Sequence, residues 1–201
     1  MLKLTNINKV FNEGTPDEKV ALGDINLHLA PGDFVTIIGS NGAGKSTMMN
    51  MISGALTPDY GTIHINGKNV TGDAEYKRAR HIGRVFQDPM AGTAPSMTIE
   101  ENLAIAYNRT KTRTLGFGVN KKKKDIYRTA LEMLSLNLEN RLNAKVGMLS
   151  GGERQALSLL MATFTQPSIL LLDEHTAALD PSRAELITQL TKQLVEKDSL
   201  T

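Results

Sequence analysis

The stretch that decides the fold lies at residues 39–47 and reads Gly39-Ser40-Asn41-Gly42-Ala43-Gly44-Lys45-Ser46-Thr47. It matches the phosphate-binding pattern G-x-x-x-x-G-K-[ST]. The glycines let the backbone turn so that successive N–H groups point at phosphate oxygens. Lys45 adds a charge for the β- and γ-phosphates, and the Ser46 hydroxyl is a ligand for Mg²⁺. The stretch therefore predicts a site for a nucleoside triphosphate.

The residues on either side of this loop give it the context that the pattern requires. Phe34–Ile38 is a short apolar run typical of a buried parallel strand. Lys45–Ser53 is predicted to be a helix that Gly54 ends. A helix that begins at the loop places the positive end of its dipole under the phosphates. The alternative, a glycine-rich surface turn, does not account for a strand before the loop and a helix after it.

Composition limits the possible functions. A chain of 201 residues suits one domain, with room for an inserted subdomain. The formal net charge of +2 is far from the strongly basic balance of a nucleic-acid-binding surface, and the absence of cysteine excludes disulfides. The N-terminus lacks the features of a signal peptide, and no apolar stretch is long enough to span a bilayer. We therefore expect any membrane role to act through a partner.

A second chemical motif is an apolar run that ends in two acids, Ile169-Leu-Leu-Leu-Asp173-Glu174. Asp173, at the end of a predicted strand, is positioned to hold Mg²⁺ through water. Glu174 follows it and can polarise a water for in-line attack on the γ-phosphate. Two acids that only begin a loop are the alternative, which the phosphate loop in the same chain makes less favoured.

A third motif reads Leu149-Ser150-Gly151-Gly152-Glu153. Ser150 and Glu153 form an S-x-x-E capping box, which predicts a helix start with exposed N–H groups. The two glycines let a phosphate or another backbone approach closely. The motif is thus a second anion site with no phosphate of its own in the chain. It is explained if it caps a γ-phosphate that a second copy holds.

These motifs resemble those of the ATP-binding-cassette (ABC) ATPases, over essentially the whole chain. The matching stretches are Gly39–Thr47, Gln87, Leu149–Gln155, Ile169–Glu174 and Ala178-Leu179-Asp180. The resemblance implies an α/β P-loop NTPase core with a small antiparallel β portion and an inserted α-helical subdomain. As a single domain over 1–201, the core would comprise 1–87 and 160–201, and the helical subdomain about 88–159.

The resemblance also implies roles for individual residues. Lys45, Gln87 and Glu174 would be catalytic, with Glu174 as general base and Gln87 reporting the state of the site to the helical subdomain. The Mg²⁺ ligands would be Ser46, Gln87 and Asp173. ATP would lie between two subunits, in contact with Phe11, Gly39, Ser40, Asn41, Gly42, Ala43, Gly44, Lys45, Ser46, Thr47, Ser150, Gly151, Gly152, Glu153 and Asp180. Phe11 occupies the place of an aromatic that stacks on adenine, although Phe11 as the plain end of a strand is an alternative.

Two positions depart from the family pattern. His175 stands where the family more often has proline, and we interpret it as a solvated turn residue. The family also carries a histidine about thirty residues beyond the acidic pair that contacts the γ-phosphate. The last histidine here is His175, so we expect a chain that stops before that strand, or alternatively a naturally short protein. On this basis we expect Mg-ATP binding with slow hydrolysis.

The resemblance implies an ATP-binding and ATP-hydrolysing subunit of a membrane transporter, an importer of a small solute, driven by head-to-tail dimerisation. Its partners would be a second ATPase subunit, a transmembrane permease and a solute-binding protein, at the cytoplasmic face of the cell membrane. The alternative is a soluble mechanical ATPase that acts on DNA or ribosomes, but the interval from Gln87 to Leu149 has no sustained heptads. The solute, the direction of transport, and homodimer versus heterodimer stay open.

Two surfaces are candidates for contact with the membrane components. Residues 88–96 are rich in small side chains, including Ala91 and Ala94, and are expected to receive a permease helix. Lys121–Lys124 is the competing candidate, since a basic run attracts anionic lipid headgroups. A solvated helix start is an equally good interpretation of that run.

Overall fold

The computed structural model describes residues 1–111, 118–177, 179–198 and 200–201. The described chain forms two compact units, residues 1–82 with the end of the chain, and residues 83–198. In chain order the elements are β1 (Leu2–Phe11), β2 (Lys19–Leu29), α1 (Lys45–Ser53), β3 (Tyr60–Ile65), β4 (Lys68–Asn69), α2 (Glu75–Arg78), β5 (Ile82–Val85), α3 (Ile99–Asn108), α4 (Lys121–Glu132), α5 (Gly151–Thr163), β6 (Ile169–Leu172) and α6 (Pro181–Asp198). Two short 3₁₀ turns, Leu138–Asn140 and Val146–Met148, precede α5.

The first unit is built on an antiparallel sheet with the strand order β2-β1-β3-β4. Leu4 of the central strand β1 pairs with Leu27 on one side and Ile63 on the other. The alternation of apolar and polar residues in β1 buries Leu2 and Leu4 on one face of the sheet. The small antiparallel β portion that we expected is therefore confirmed.

Helix α1 packs on this sheet and presents the phosphate loop at its N-terminal end. Met48, Met51 and Ile52 form its buried side. The helix ends at Gly54, whose φ of 88° lets its N–H donate to the carbonyl oxygens of Asn50 and Met51. Both predicted ends, Lys45 and Gly54, are confirmed.

The prediction of a buried strand at Phe34–Ile38 is wrong. The segment belongs to no strand, and the side chains of Phe34 and Ile38 are 76% and 92% exposed. An apolar run becomes a strand only when neighbouring strands hydrogen-bond to it. The sheet of this unit ends at β2 and β4, and it takes no additional strand from the segment.

The second unit is mainly helical around a large apolar core. Leu103 of α3, Tyr127 and Leu131 of α4, Leu157 of α5 and Ile187 of α6 are all completely buried. Strands β5 and β6 are hydrogen-bonded neighbours at the edge of this core, and β6 coincides with the predicted strand.

Helix α4 begins earlier than the amphipathic pattern indicated. The amphipathic run Ile126–Leu136 predicts a helix from Ile126, and the structure places the helix start at Lys121 because the side chain of Asn120 accepts a hydrogen bond from the Lys123 N–H. The basic stretch Tyr107–Lys124, with two glycines, predicts either a loop or a frayed helix, and its part at 112–117 lies outside the described residues. The subdomain boundaries near 88 and 159 stay a prediction. Among the helices of the described ranges, none combines the length and the apolar character that crossing a bilayer requires.

Candidate nucleotide site

The phosphate loop ends in a helix start that only glycine can provide. Gly44 precedes α1 with φ 88° and ψ 4°, and no side chain caps the helix. A Cβ on Gly44 would overlap the carbonyl oxygen of Ala21 and lie 2.9 Å from Leu22 Cδ2. The first turn contains no acidic residue. Because the leading N–H groups of a helix have no partner within it, this start is suited to an anion.

Lys45 bends back over the loop from which it projects. Its Nζ donates to the carbonyl oxygens of Gly39 at 2.7 Å and Ser40 at 3.1 Å. The Ser46 side chain is exposed beside it. An ammonium group, a hydroxyl and uncapped N–H groups therefore lie within one turn of backbone, a set that fits phosphate oxygens and a hydrated Mg²⁺.

Phe11 is the last residue of β1 and pairs with Lys19 of β2. Its ring is partly exposed, and Lys9 Nζ lies 5.7 Å from the ring centroid. A partly exposed ring at a strand end can stack on a base. Its contact with adenine stays a prediction.

In the second unit, the acidic pair follows β6 directly. The Asp173 N–H donates to the Val85 carbonyl at 3.1 Å, so the carboxyl ends of β5 and β6 lie side by side. Gln87, exposed, follows β5 at this same edge. Glu174 is exposed and has a left-handed φ of 42°. The sheet edge thus brings an amide and a carboxylate together, a donor set that Mg²⁺ accepts.

Arg84 is a neighbour of Asp173 that the sequence did not reveal. Its Nη2 lies 3.5 Å from Asp173 Oδ2, and its guanidinium stacks 4.6 Å from the centroid of the Phe86 ring. Asp173 therefore has a cation beside it before any metal is considered.

The interpretation of His175 as a solvated residue is wrong. The ring is half-buried, with Nε2 3.4 Å from Thr191 Oγ1 of α6. Burial lowers the pKa of His175, so the ring is neutral at pH 7. A helix that lies 16 residues further along the chain creates this environment, which a local pattern does not report.

The capping box at the start of α5 is confirmed. Ser150 Oγ accepts from the Glu153 N–H at 3.3 Å, and Glu153 accepts from the Ser150 N–H at 2.8 Å. Arg141 Nη1 donates to the same carboxylate at 2.7 Å. Burial raises the pKa of Glu153, but the hydrogen bonds from Ser150 and Arg141 outweigh it and leave that pKa below the usual value.

The glycines of this motif differ in their surroundings. A Cβ on Gly152 would lie 2.9 Å from Arg183 Cδ, whereas the nearest atom to a Cβ on Gly151 would be Leu179 Cδ2 at 3.8 Å. Asp180, at the foot of α6, accepts from the Arg183 N–H at 3.1 Å and pairs with Arg183 Nε at 3.2 Å. Asp180 thus holds the arginine that lies against Gly152.

Two further side chains hold the candidate site in shape, and the sequence did not reveal either. Arg154 donates to the carbonyls of Val146, Gly147 and Leu149, at 3.3, 3.1 and 2.8 Å, and so fixes the turn that leads into α5. Asn102, completely buried, accepts from the Ala94 N–H at 2.7 Å and donates to the Ala94 carbonyl at 3.0 Å. Side chains that bind distant carbonyls leave no periodic signal.

The predicted site residues fall into two groups, each organised within its own unit. The first unit holds Phe11 and the phosphate loop, and the second holds Gln87, Ser150–Glu153, Asp173, Glu174 and Asp180. The first group suits the phosphates of a nucleotide. The second offers a metal-binding carboxylate, an exposed base and a glycine-rich helix start that a capping box fixes.

Comparison with known proteins gives these features a family. The family profile described as ABC transporter matches residues 22–177. A tyrosine transport ATP-binding protein of Clostridioides difficile is 42% identical over 201 residues, which is 100% of this chain and 80% of that protein. The methionine import ATP-binding protein MetN of Aliivibrio fischeri is 34% identical over 205 residues, 100% of this chain and 56% of MetN.

A solved structure agrees with the sequence comparisons. The ATP-binding cassette MJ0796, in a dimeric post-hydrolysis state bound to ADP and Pi, matches with a TM-score of 0.82 at 33% identity. The match covers 99% of this chain and 84% of that one. The chain therefore belongs to the ABC transporter family, as its nucleotide-binding domain, an ATPase that hydrolyses ATP for transport.

Proposed function

We propose that this chain energises an importer of an amino-acid-class solute, at the cytoplasmic face of the membrane, as a head-to-tail dimer bound to a permease. One observation carries the dimer. Of the helices in the described part of the chain, α1 and α5 begin at glycines, at Gly44 and at Gly151–Gly152, but only α1 has the lysine that holds a phosphate chain. The second start therefore acts on the nucleotide of another subunit.

Within the first half-site, the backbone N–H groups after Gly44 and the Lys45 ammonium bind the β- and γ-phosphates. Ser46, Asp173 and Gln87 would be the ligands of Mg²⁺, as the family resemblance implies, and the ion would neutralise charge on the phosphates. Glu174 is exposed, and its carboxylate accepts the proton of the attacking water. To hold the metal, Asp173 would have to exchange its ion pair with Arg84 for the ion.

Within the second half-site, Gly151 and Gly152 present their N–H groups, and Ser150 its hydroxyl, to the γ-phosphate held by the partner. The Glu153 carboxylate is already engaged by Ser150 and Arg141, which fixes the turn before any phosphate arrives. Donors fixed in advance stabilise the transition state without reorganisation. The nearest atom to a Cβ on Gly151 would be Leu179 Cδ2 at 3.8 Å, an ordinary contact distance, so Gly151 is less crowded than Gly152.

Mixing two inactive variants tests the head-to-tail arrangement. Lys45→Ala removes the phosphate charge, and Ser150→Arg blocks the helix start, so each variant alone should lose ATP turnover. In a mixed dimer one site carries both defects and the other carries neither. After equal mixing, half of the dimers are mixed, and each mixed dimer has one intact site of two. Mixing should therefore restore about a quarter of the ATP turnover of the unchanged chain.

The control is a mixture of Lys45→Ala with Lys45→Ala, Ser150→Arg, in which no intact site can form. Phosphate release is measured at saturating ATP in every mixture. Failure of the first mixture to exceed the control would mean that each chain completes its own site, and the proposed dimer would be wrong.

The solute class rests on the relatives rather than on the site. The tyrosine transport protein is 42% identical to this chain, whereas the spermidine/putrescine import protein PotA of Lawsonia intracellularis is 33% identical. The permease and its binding protein select the solute, so the test uses the complex. Vesicles that contain the complex should take up tyrosine or methionine and not spermidine when ATP is supplied. The opposite preference would refute the amino-acid assignment.

The permease is proposed to contact residues 88–96. Ala91 is exposed, and the buried Asn102 fixes Ala94 through both of its backbone groups, so the surface is preformed. Ala91→Glu should abolish solute uptake and leave the ATP affinity of the isolated chain unchanged. The matched control is Thr129→Glu, which adds the same charge at an exposed position of α4 outside this segment. Normal uptake with Ala91→Glu would place the contact elsewhere.

A further inference from the structure

Positive charge is concentrated in one part of this chain. Residues 109–124 contain seven Lys or Arg and no Asp or Glu, in a chain of net charge +2, so the remaining residues carry a net charge of −5. We define the lysine face by its four described members, Lys111, Lys121, Lys122 and Lys123. Neither the nucleotide site nor the surface at 88–96 includes it.

The lysines of α4 do not all have the same surroundings. Lys124 Nζ lies 2.8 Å from Glu100 Oε2, and this ion pair holds α4 against α3. Lys121 and Lys122 are exposed and form no ion pair with a carboxylate of the described residues. Lys121 and Lys122 therefore face solvent, whereas Lys124 contributes to packing.

A rigid support holds this face in place. Tyr127 is completely buried, its hydroxyl donates to the Gly118 carbonyl at 3.0 Å, and its ring meets the edge of Tyr107 at a centroid distance of 6.0 Å. Lys111 Nζ lies 3.0 Å from the centroid of the Tyr107 ring. Lys121, Lys122 and Lys123 are thus carried on a packed helix, and Lys111 lies against the Tyr107 ring.

The cations share one local field. The pKa of the Tyr107 hydroxyl is lowered by the hydrogen bond from Lys111 first, and the charges of Lys111, Lys123 and Lys122 add to this. Three lysines therefore act on the same point in space. Such a cluster attracts an anion more strongly than isolated lysines do.

The position of the cluster conflicts with helix stability. The first turn of α4 contains only lysines, at the positive end of the helix dipole, where acidic residues are favoured. A solvated helix start would be served better by Asp or Glu. The arrangement is explained if an external anion lies against this end of the helix.

We propose that the lysine face binds the anionic phospholipid headgroups of a membrane. This rests on the membrane location in the proposed function, since only a chain held beside a permease is kept near a bilayer. A nucleic acid is a poorer match. The face is small, its tyrosines are covered or buried and cannot stack on bases, and the rest of the chain is negative.

Binding to vesicles tests the proposal with the isolated chain. We expect the unchanged chain to sediment with phosphatidylserine-containing vesicles, not with pure phosphatidylcholine vesicles, and to be released by high salt. Each lysine near an anionic bilayer strengthens partitioning about fivefold, so Lys121→Gln, Lys122→Gln and Lys123→Gln together should weaken it about 100-fold.

The matched control changes three exposed lysines elsewhere, Lys68→Gln, Lys145→Gln and Lys192→Gln, with the same loss of net charge. This control should bind nearly as the unchanged chain does. The corresponding three Lys→Arg changes in the lysine face should also retain binding, because the charge suffices. Equal weakening in the two glutamine variants would overturn the proposal, as would loss of binding in the arginine variant.

Two further outcomes have a defined meaning. Binding of an RNA or DNA oligonucleotide through the lysine face, with no binding to anionic vesicles, would also overturn the membrane assignment. The glutamine variant of the face should keep the ATP turnover restored by mixing Lys45→Ala and Ser150→Arg chains. A failure of vesicle binding is therefore distinguishable from a failure of the proposed dimer, because the first is measured by sedimentation with vesicles and the second by phosphate release.

Discussion

Arg78 is the residue of the first unit whose replacement should have the largest measurable effect on stability. Its side chain is 1% exposed and donates to four backbone carbonyls. Nη1 reaches Met51 at 2.6 Å and Ile52 at 3.2 Å, both in the last turn of α1. Nε and Nη2 reach the carbonyls of Asp73 and Thr71 at 3.0 and 2.9 Å. The arginine thus ties the end of the phosphate-loop helix to the segment that follows β4.

The magnitude follows from these four contacts. A hydrogen bond from a charged donor contributes about 1.5–3 kcal/mol, but burial of the charge offsets several kcal/mol of the sum. Burial lowers the pKa of Arg78, because removing the guanidinium from water disfavours its charged form. Arg78→Met keeps most of the packing volume and removes the four hydrogen bonds that the guanidinium donates. We expect a loss of about 3–4 kcal/mol in the free energy of unfolding.

The assay is urea unfolding followed by circular dichroism, with hydrogen exchange of the α1 amides as a local probe. A loss of 3–4 kcal/mol lowers the urea midpoint by about 2 M when the slope is about 1.5–2 kcal/mol per M. Arg80→Met is the matched control, because Arg80 is exposed two residues away and should cost no more than about 0.5 kcal/mol. If both variants unfolded at the same urea concentration, the four contacts would not contribute as described.

Three further predictions concern the loop, the second helix start and the surface at 88–96. Gly14→Ala, at φ 75° with open space, is the control for Gly44→Ala and should lower the free energy of unfolding by about 1–2 kcal/mol. Gly44→Ala should in addition abolish ATP binding measured by calorimetry, and equal ATP affinities of the two variants would contradict the geometry of the loop. The pKa of Glu153 is lower in the folded chain than in the unfolded chain, where it is about 4.3. The ionised carboxylate therefore stabilises the fold above about pH 4.3, and this contribution is lost as the pH falls through the pKa of the folded chain. Glu153→Gln should therefore lose stability at pH 7 and much less at pH 3, and a loss that is equal at both pH values would refute the charge-based account. Asn102→Leu should cost about 2 kcal/mol and speed hydrogen exchange at Ala94, because both backbone groups of Ala94 lose their partner; unchanged exchange would show that the side chain is not what fixes the segment.

Local signals predicted the parts of the site that depend on neighbours in sequence. The helix at Lys45–Ser53, the capping box at Ser150 and the strand Ile169–Leu172 each need fewer than fifteen residues to specify them, and all three are confirmed. The capping box also fixed the helix start to the residue, since a reciprocal pair of hydrogen bonds has a single register.

The failures share a different cause. The strand expected at Phe34–Ile38 depends on partner strands, and an apolar run does not contain information on pairing. Arg78 contacts carbonyls 26 and 27 residues away, and His175 is buried by a helix that begins after it. No period in the sequence reports such contacts, so these residues became visible only in three dimensions.

The way in which Lys45 bends onto its own loop has a consequence for which molecules can enter. Its Nζ donates hydrogen bonds to the Gly39 and Ser40 carbonyls, and a ligand that binds Lys45 must replace these two hydrogen bonds. A nucleoside without phosphates has no charged acceptor for the ammonium, so the hydrogen bonds of Lys45 to its own loop remain and Lys45 adds nothing to the binding of that molecule. A triphosphate replaces two neutral acceptors with charged ones, which bind an ammonium about twice as strongly. We therefore expect the loop to bind ligands without phosphates weakly. The number of phosphates, rather than the identity of the base, should dominate the affinity.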